Sequence, residues 1–80
     1  MYYIKEEIFH GNFCSTTKTK FEFSSFEDAK LKMEDVRNEC DEDGYNVSKL
    51  YLESDLESMW FFVFDGKNLT YHYYISKKED

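Results

Sequence analysis

Three features of the chain predict one α+β domain in which a single helix packs on an antiparallel sheet. Apolar residues in the stretch 26–44 recur every three or four positions, the period of a helix with one buried face. Five other stretches, at about 2–9, 19–23, 46–52, 59–65 and 69–76, alternate or run apolar as strands do. The whole chain is 80 residues, enough for one modest core, so residues 1–80 form one domain in the order β-β-α-β-β-β.

Each element has its own signal. In the first strand, Ile4 and Ile8 fall on one side. "HGNFCSTTK" at 10–18 is rich in turn formers and reads as a loop. "TKFEF" then alternates, placing Thr19, Phe21 and Phe23 inward and Lys20 and Glu22 outward. The helix is expected over about 25–43. Ser24 with Glu27, or Ser25 with Asp28, has capping-box spacing, and Gly44 is the natural stop. "DGKN" at 65–68 marks a hairpin between the last two strands. If that turn closes as a two- or four-residue loop, Trp60, Phe62 and Phe64 share a face with Leu69, Tyr71, Tyr73 and Ile75. Met59, Phe61 and Val63 then share the other with Thr70, His72 and Tyr74, whereas a three-residue loop exchanges the sets.

Charge narrows the function classes. Ten bases against seventeen acids give a net charge of −7, which disfavours phosphate backbones and anionic membranes as direct partners. The start, "MYYIKEEIF", has neither a basic leader nor an apolar run, and no stretch approaches membrane-spanning length. Cys14 and Cys40 match no zinc or redox spacing and read as free thiols of a reducing compartment. The expected location is the cytoplasm of whatever cell makes the protein.

No motif for catalysis or for a cofactor stands out. The only histidines, His10 and His72, lie in no pattern that pairs them with a nucleophile, and no glycine-rich phosphate loop exists. Glu39-x-Asp41-x-Asp43-Gly44 imitates the start of a calcium loop. The imitation fails where an apolar residue and a bidentate Glu should follow, because the chain has Asn46 and Leu50 there. The expectation is a non-enzymatic protein without metal or cofactor.

Two surfaces are candidates for binding. "FEDAKLKMEDVRNECDEDG" carries eight acids against three bases in 19 positions. On a helical wheel, Phe26, Ala29, Met33, Val36 and Cys40 form the stripe that packs on the sheet. Lys30, Lys32 and Arg37 flank that stripe, where their stems can run along the sheet. Glu27, Asp28, Glu34, Asp35 and Glu39 collect on the far side around Leu31, and Asp41, Glu42 and Asp43 extend the patch. A solvated helix face is the plain reading, and an apolar anchor ringed by carboxylates that a partner covers is the sharper one. Carboxylates at a helix C-terminus oppose its dipole, at a cost of about 0.3–1 kcal/mol each, so stability alone does not account for them. The second surface is the sheet. Aromatic residues are 20% of the chain, and one helix covers only one sheet face. Met59, Phe61, Val63 and Tyr74 are the residues expected on a face that a second copy could cover.

With that exposed acidic helix, the chain resembles the small inhibitors carried by phages and mobile elements, the anti-CRISPR proteins among them. The resemblance lies in size, charge and aromatic content over the whole length, with no shared motif through which individual residues correspond. It implies a protein partner with a basic surface, such as a defence nuclease complex, whose nucleic-acid channel is blocked by carboxylates standing in for phosphates. The alternative is a structural homodimer joined through the aromatic sheet face, with no inhibitory role.

Overall fold

The computed structural model describes residues 1–78. One helix, α1 (Phe26–Glu42), packs on an antiparallel sheet of strands β1 (Tyr2–His10), β2 (Phe13–Phe23), β3 (Asn46–Val47), β4 (Tyr51–Glu53), β5 (Ser58–Phe64) and β6 (Leu69–Ser76). The order across the sheet is β2-β1-β6-β5, with β3 and β4 both pairing to the far edge of β5. The first and last strands are therefore neighbours, which closes the chain on itself.

Helix α1 forms where the wheel places it. Ser25, in extended conformation, accepts the Asp28 amide at 3.2 Å and so caps the first turn. At the other end the Tyr45 amide donates to the Cys40 carbonyl and the Gly44 amide to the Asp41 carbonyl, both at 3.1 Å. This paired closure needs a left-handed residue, and Gly44 supplies it with φ of +92°. Ala29 and Met33 are fully buried, with Phe26, Val36 and Cys40 beside them. They meet Ile4 of β1, Met59, Phe61 and Val63 of β5, and Ile75 of β6.

Several sequence expectations are corrected. The expected loop at 10–18 is largely strand. Only Gly11 and Asn12 turn, with Gly11 at φ +62°, and β2 begins at Phe13. Its Thr and Lys residues look like loop, but Thr16, Thr17, Lys18, Thr19 and Lys20 are all exposed on this edge strand, so neither of its sides needs apolar residues there. Thr19 does not face inward. The β1–β2 register shifts between Ile4↔Phe21 and Lys5↔Thr19, a bulge at Lys20 that puts Thr19 on the opposite side from Phe21. The strand expected at 46–52 is interrupted at 48–50. There the Ser48 hydroxyl accepts the Phe62 amide at 2.9 Å, a role a strand carbonyl would otherwise fill, while the Ser48 amide donates to Phe62 O.

The hairpin between β5 and β6 carries the largest correction. The Asp65 amide reaches the Leu69 carbonyl at 3.3 Å, leaving a three-residue turn, Gly66-Lys67-Asn68. Gly66 and Asn68 both have positive φ, and the Asp65 carboxylate accepts the Lys67 amide at 2.8 Å. The register is Phe61↔Tyr73 and Phe62↔His72, so like parities pair. Met59, Phe61 and Val63 therefore lie with Tyr71, Tyr73 and Ile75, under the helix. Trp60, Phe62 and Phe64 lie with Thr70, His72 and Tyr74, on the uncovered side.

Two outcomes check this packing. Gly44→Ala forces a side chain into left-handed backbone and should cost about 1–2 kcal/mol in urea unfolding; space is not the cause, since nothing lies within 4 Å of a Cβ there. Phe61→Ala removes a side chain with 0% exposure and should cost about 3–5 kcal/mol by the same measurement.

Candidate functional site

The outward face of α1 is built by removing its bases. Lys32 extends its ammonium over the Phe21 ring, 4.6 Å from the centroid. The Arg37 Nε donates to the Ser48 carbonyl at 2.7 Å, tying the helix to the β3–β4 interruption. Lys30 pairs with Glu27 at 3.5 Å, within the helix. Asp28, Asp35, Glu39, Asp41, Glu42 and Asp43 are exposed, and among the described residues none of them has a basic partner within 4 Å. Leu31 stands among them, 59% exposed. Glu34 is half-buried at the border of the patch, so it is a weaker member than the wheel suggested. From Asp28 to Glu42 the acids extend over about 21 Å of helix.

The second candidate surface is not where the sequence placed it. Met59, Phe61 and Val63 are buried beneath α1 and offer nothing to a second copy. Tyr74 alone of that expected set lies on the uncovered face. The turn parity is the cause. What the uncovered face does carry is a ladder of rings. Phe62 stacks on His72 at 4.7 Å, His72 on Tyr74 at 4.9 Å, and Tyr51 on Trp60 at 5.4 Å. A shallow depression of about 330 Å³ runs along Trp60, Phe62, His72 and Tyr74. A larger dent of about 510 Å³ lies along Glu53, Ser54, Asp55 and Leu56. One exposed turn makes it, with no second element to wall in a ligand.

The uncovered face also gathers titratable groups that lie far apart in the chain. The Glu7 carboxylate meets His72 Nδ1 at 2.9 Å and the Cys14 thiol at 4.0 Å, and Cys14 Sγ is 3.6 Å from the Thr17 hydroxyl. Sequence reasoning missed this group because β1, β2 and β6 each supply one member. Its connectivity is wrong for a thiol nucleophile. The thiol faces the Glu7 carboxylate and the Thr17 hydroxyl instead of an imidazole that could take its proton. The stacking of the rings on one another takes up ring faces that a nucleobase would need, and the chain is acidic.

On the helix side of the sheet a polar group is buried and satisfied. Glu6 is 6% exposed; the Tyr73 hydroxyl donates to it and Lys18 lies 3.6 Å away. Burial first, and the Glu6 carboxylate after it, push the Tyr73 phenol well above the usual tyrosine range. Cys40 borders a cavity of about 200 Å³ with Tyr45, Val63, Tyr71 and Tyr73. Burial, then the Asp43, Glu39 and Glu6 carboxylates, raise its thiol pKa, so it stays protonated and unreactive at neutral pH.

Among the described residues no helix is long and apolar enough to cross a membrane. Neither a family model, a curated protein nor a solved structure matches the chain.

Two measurements follow from these environments. Alkylation of the native protein, read by mass spectrometry, should modify exposed Cys14 well before Cys40, and both equally fast only after unfolding. For Tyr73, the unfolded chain ionises near pH 10 while the folded protein holds the proton. Stability is therefore intact below about pH 10 and falls as pH rises beyond it. Tyr73→Phe should flatten that fall in urea unfolding at stepped pH, and should cost about 1–3 kcal/mol at neutral pH by leaving Glu6 under-satisfied.

Proposed function

We propose that the protein is a non-enzymatic inhibitor whose acidic helix face occupies a basic, nucleic-acid-binding site on a protein partner. One observation carries the reading. All three bases of α1 are engaged with the sheet, with the β3–β4 segment or with Glu27, and the acids they might have neutralised are left outward around an exposed leucine. An arrangement selected for stability alone would pair those acids and would not crowd carboxylates at the helix C-terminus.

The mechanism is electrostatic substitution. Carboxylates spread along a helix meet an arginine- or lysine-lined groove as phosphates would, with charge-assisted hydrogen bonds at contact and long-range steering before it. Leu31 supplies the apolar anchor at the centre, where water is excluded. Blocking requires no chemistry in the inhibitor, only a rigid surface. The buried stripe of α1 on the sheet supplies that rigidity. The resemblance to small phage-borne inhibitors supports the same class of partner, a nucleic-acid-handling complex such as a defence nuclease.

The test is capture of partners from the lysate of the cell in which the protein acts, followed by binding to the purified partner. Glu27, Asp35 and Glu39 changed together to Lys should weaken binding at least about tenfold, or about 1.4 kcal/mol. Nucleic acid should compete with the wild-type protein, and affinity should fall steeply as salt rises. Equal capture by the charge-reversed protein would show that the acidic helix is not the recognition surface.

A further inference from the structure

We infer that the depression beside Trp60, on the sheet face opposite α1, is a binding site for the guanidinium of an arginine side chain presented by a protein partner. The inference stands whether or not the acidic helix is the inhibitory surface. Tyr51, Trp60 and Tyr74 are partners across β4, β5 and β6. Their rings nevertheless belong to two separate stacks. Trp60 stacks on Tyr51 at 5.4 Å, whereas Tyr74 stacks on His72 at 4.9 Å and His72 on Phe62 at 4.7 Å. The row of rings therefore parts between Trp60 and Tyr74. There the depression of about 330 Å³ opens, lined by Trp60, Phe62, His72 and Tyr74 with Ser58 beside them. That volume suits the head of one side chain better than a whole drug-sized molecule.

Ring chemistry and charge select a cation. Indole is the best aromatic ring for a cation, and a guanidinium lies flat on it. The chain makes this kind of contact three times itself, with Lys32 over Phe21, Lys49 over Tyr51 and Lys77 over Tyr2. Among the described residues no cation lies over Trp60, and Tyr51 is the ring that stacks on it. Carboxylates stand on the same side of the sheet. Exposed Glu53 is the partner of Ser58, one strand spacing of about 4.8 Å away. Exposed Glu22 lies further along, on β2, and the Glu7 carboxylate is turned to His72 Nδ1. The base in this row, Lys5, lies across Tyr74 from Trp60, is 3% exposed and does not line the depression. The net charge of −7 draws cations to such a surface and repels anions.

The planar head distinguishes arginine from lysine. A guanidinium resting on Trp60 has donors along its edge for the Glu53 carboxylate and the Ser58 hydroxyl, while its face meets the ring. An ammonium offers a point charge without the flat contact. The source is a protein partner because the depression is shallow: one side chain fills it, and further contacts must come from the surface that carries that side chain. Trp, Tyr and Arg are also the residues in which protein interfaces concentrate their binding energy.

Trp60 is the single tryptophan of the chain and reports on the site directly. The test titrates the full-length protein with the tripeptide acetyl-Gly-Arg-Gly-amide at about 0.15 M salt, where charges on the far face are screened. Trp60 emission should change saturably in the millimolar range, as expected for one side chain alone. The matching citrulline peptide, of the same shape but uncharged, should bind at least about tenfold more weakly, and the lysine peptide about threefold more weakly. Glu53→Gln, an exposed change, should weaken binding about two- to fivefold, and Tyr74→Leu at least about fivefold, both with an intact circular dichroism spectrum. Changing Glu27, Asp35 and Glu39 together to Lys should leave binding within about twofold, which separates this site from the acidic helix. Equal binding of the citrulline or lysine peptide would overturn the inference. So would loss of binding in the helix variant, undiminished binding by both Glu53→Gln and Tyr74→Leu, or no saturable change up to tens of millimolar. Free arginine binding more tightly than the peptide would overturn the assignment to a partner's side chain.

Discussion

The closure of the Gly66-Lys67-Asn68 turn is the constraint on which the arrangement of the two surfaces depends. A hairpin loop of odd length pairs residues of like parity, and in a strand parity decides the face. Three residues in the turn put Phe61 opposite Tyr73 and Phe62 opposite His72. One residue more or less would move one strand's entire inner set to the other side. Left-handed backbone at Gly66 and Asn68 and the side-chain cap from Asp65 hold the turn at three. This local geometry sends Met59, Phe61 and Val63 to the helix and places the part-exposed ring ladder on the opposite face.

Once the parity is set, the helix has a defined seat, and its charges sort themselves around it. The stripe through Ala29 and Met33 must face Phe61 and Ile4 to leave water, since their burial is the main favourable term. That orientation places Lys32 and Arg37 at the border, where Phe21 and the Ser48 carbonyl receive them. The remaining positions look outward, and those positions are acidic. The surface proposed for recognition is thus fixed by the core beneath it. A second anchor acts at the end of a short 3₁₀ turn, Ser54–Leu56. Glu57, in left-handed backbone, accepts from the Tyr2 hydroxyl at 2.9 Å and pairs with Lys77 at 2.7 Å. Lys77 first, then Tyr2, hold its carboxyl below the usual range.

What the sequence revealed follows the reach of its signals. The helix, its caps and its buried stripe were legible because period, Ser25 and Gly44 all act within a few residues. The acidic face was legible for the same reason. Strand existence was readable, but β2 was shortened, because Thr16, Thr17 and Lys18 resemble a loop until β1 is known to lie beside them. The bulge that reverses Thr19 depends on that pairing too. The length of the "DGKN" turn decided the face assignment, and the motif admits more than one closure. The meeting of Glu7, Cys14 and His72 needed strand order, which no local pattern encodes.

The central claim is that the acids toward the C-terminal end of α1, proposed as part of the recognition surface, contribute nothing to the fold. Chemical denaturation of the purified chain with Glu39, Asp41 and Glu42 changed together to Lys tests it most directly, with no partner needed. Bases at the helix C-terminus complement the dipole and relieve a net charge of −7. The account predicts unfolding stability that is unchanged or raised by a few tenths of a kcal/mol per site. A loss of more than about 1 kcal/mol would contradict it, because those carboxylates would then be holding the structure together.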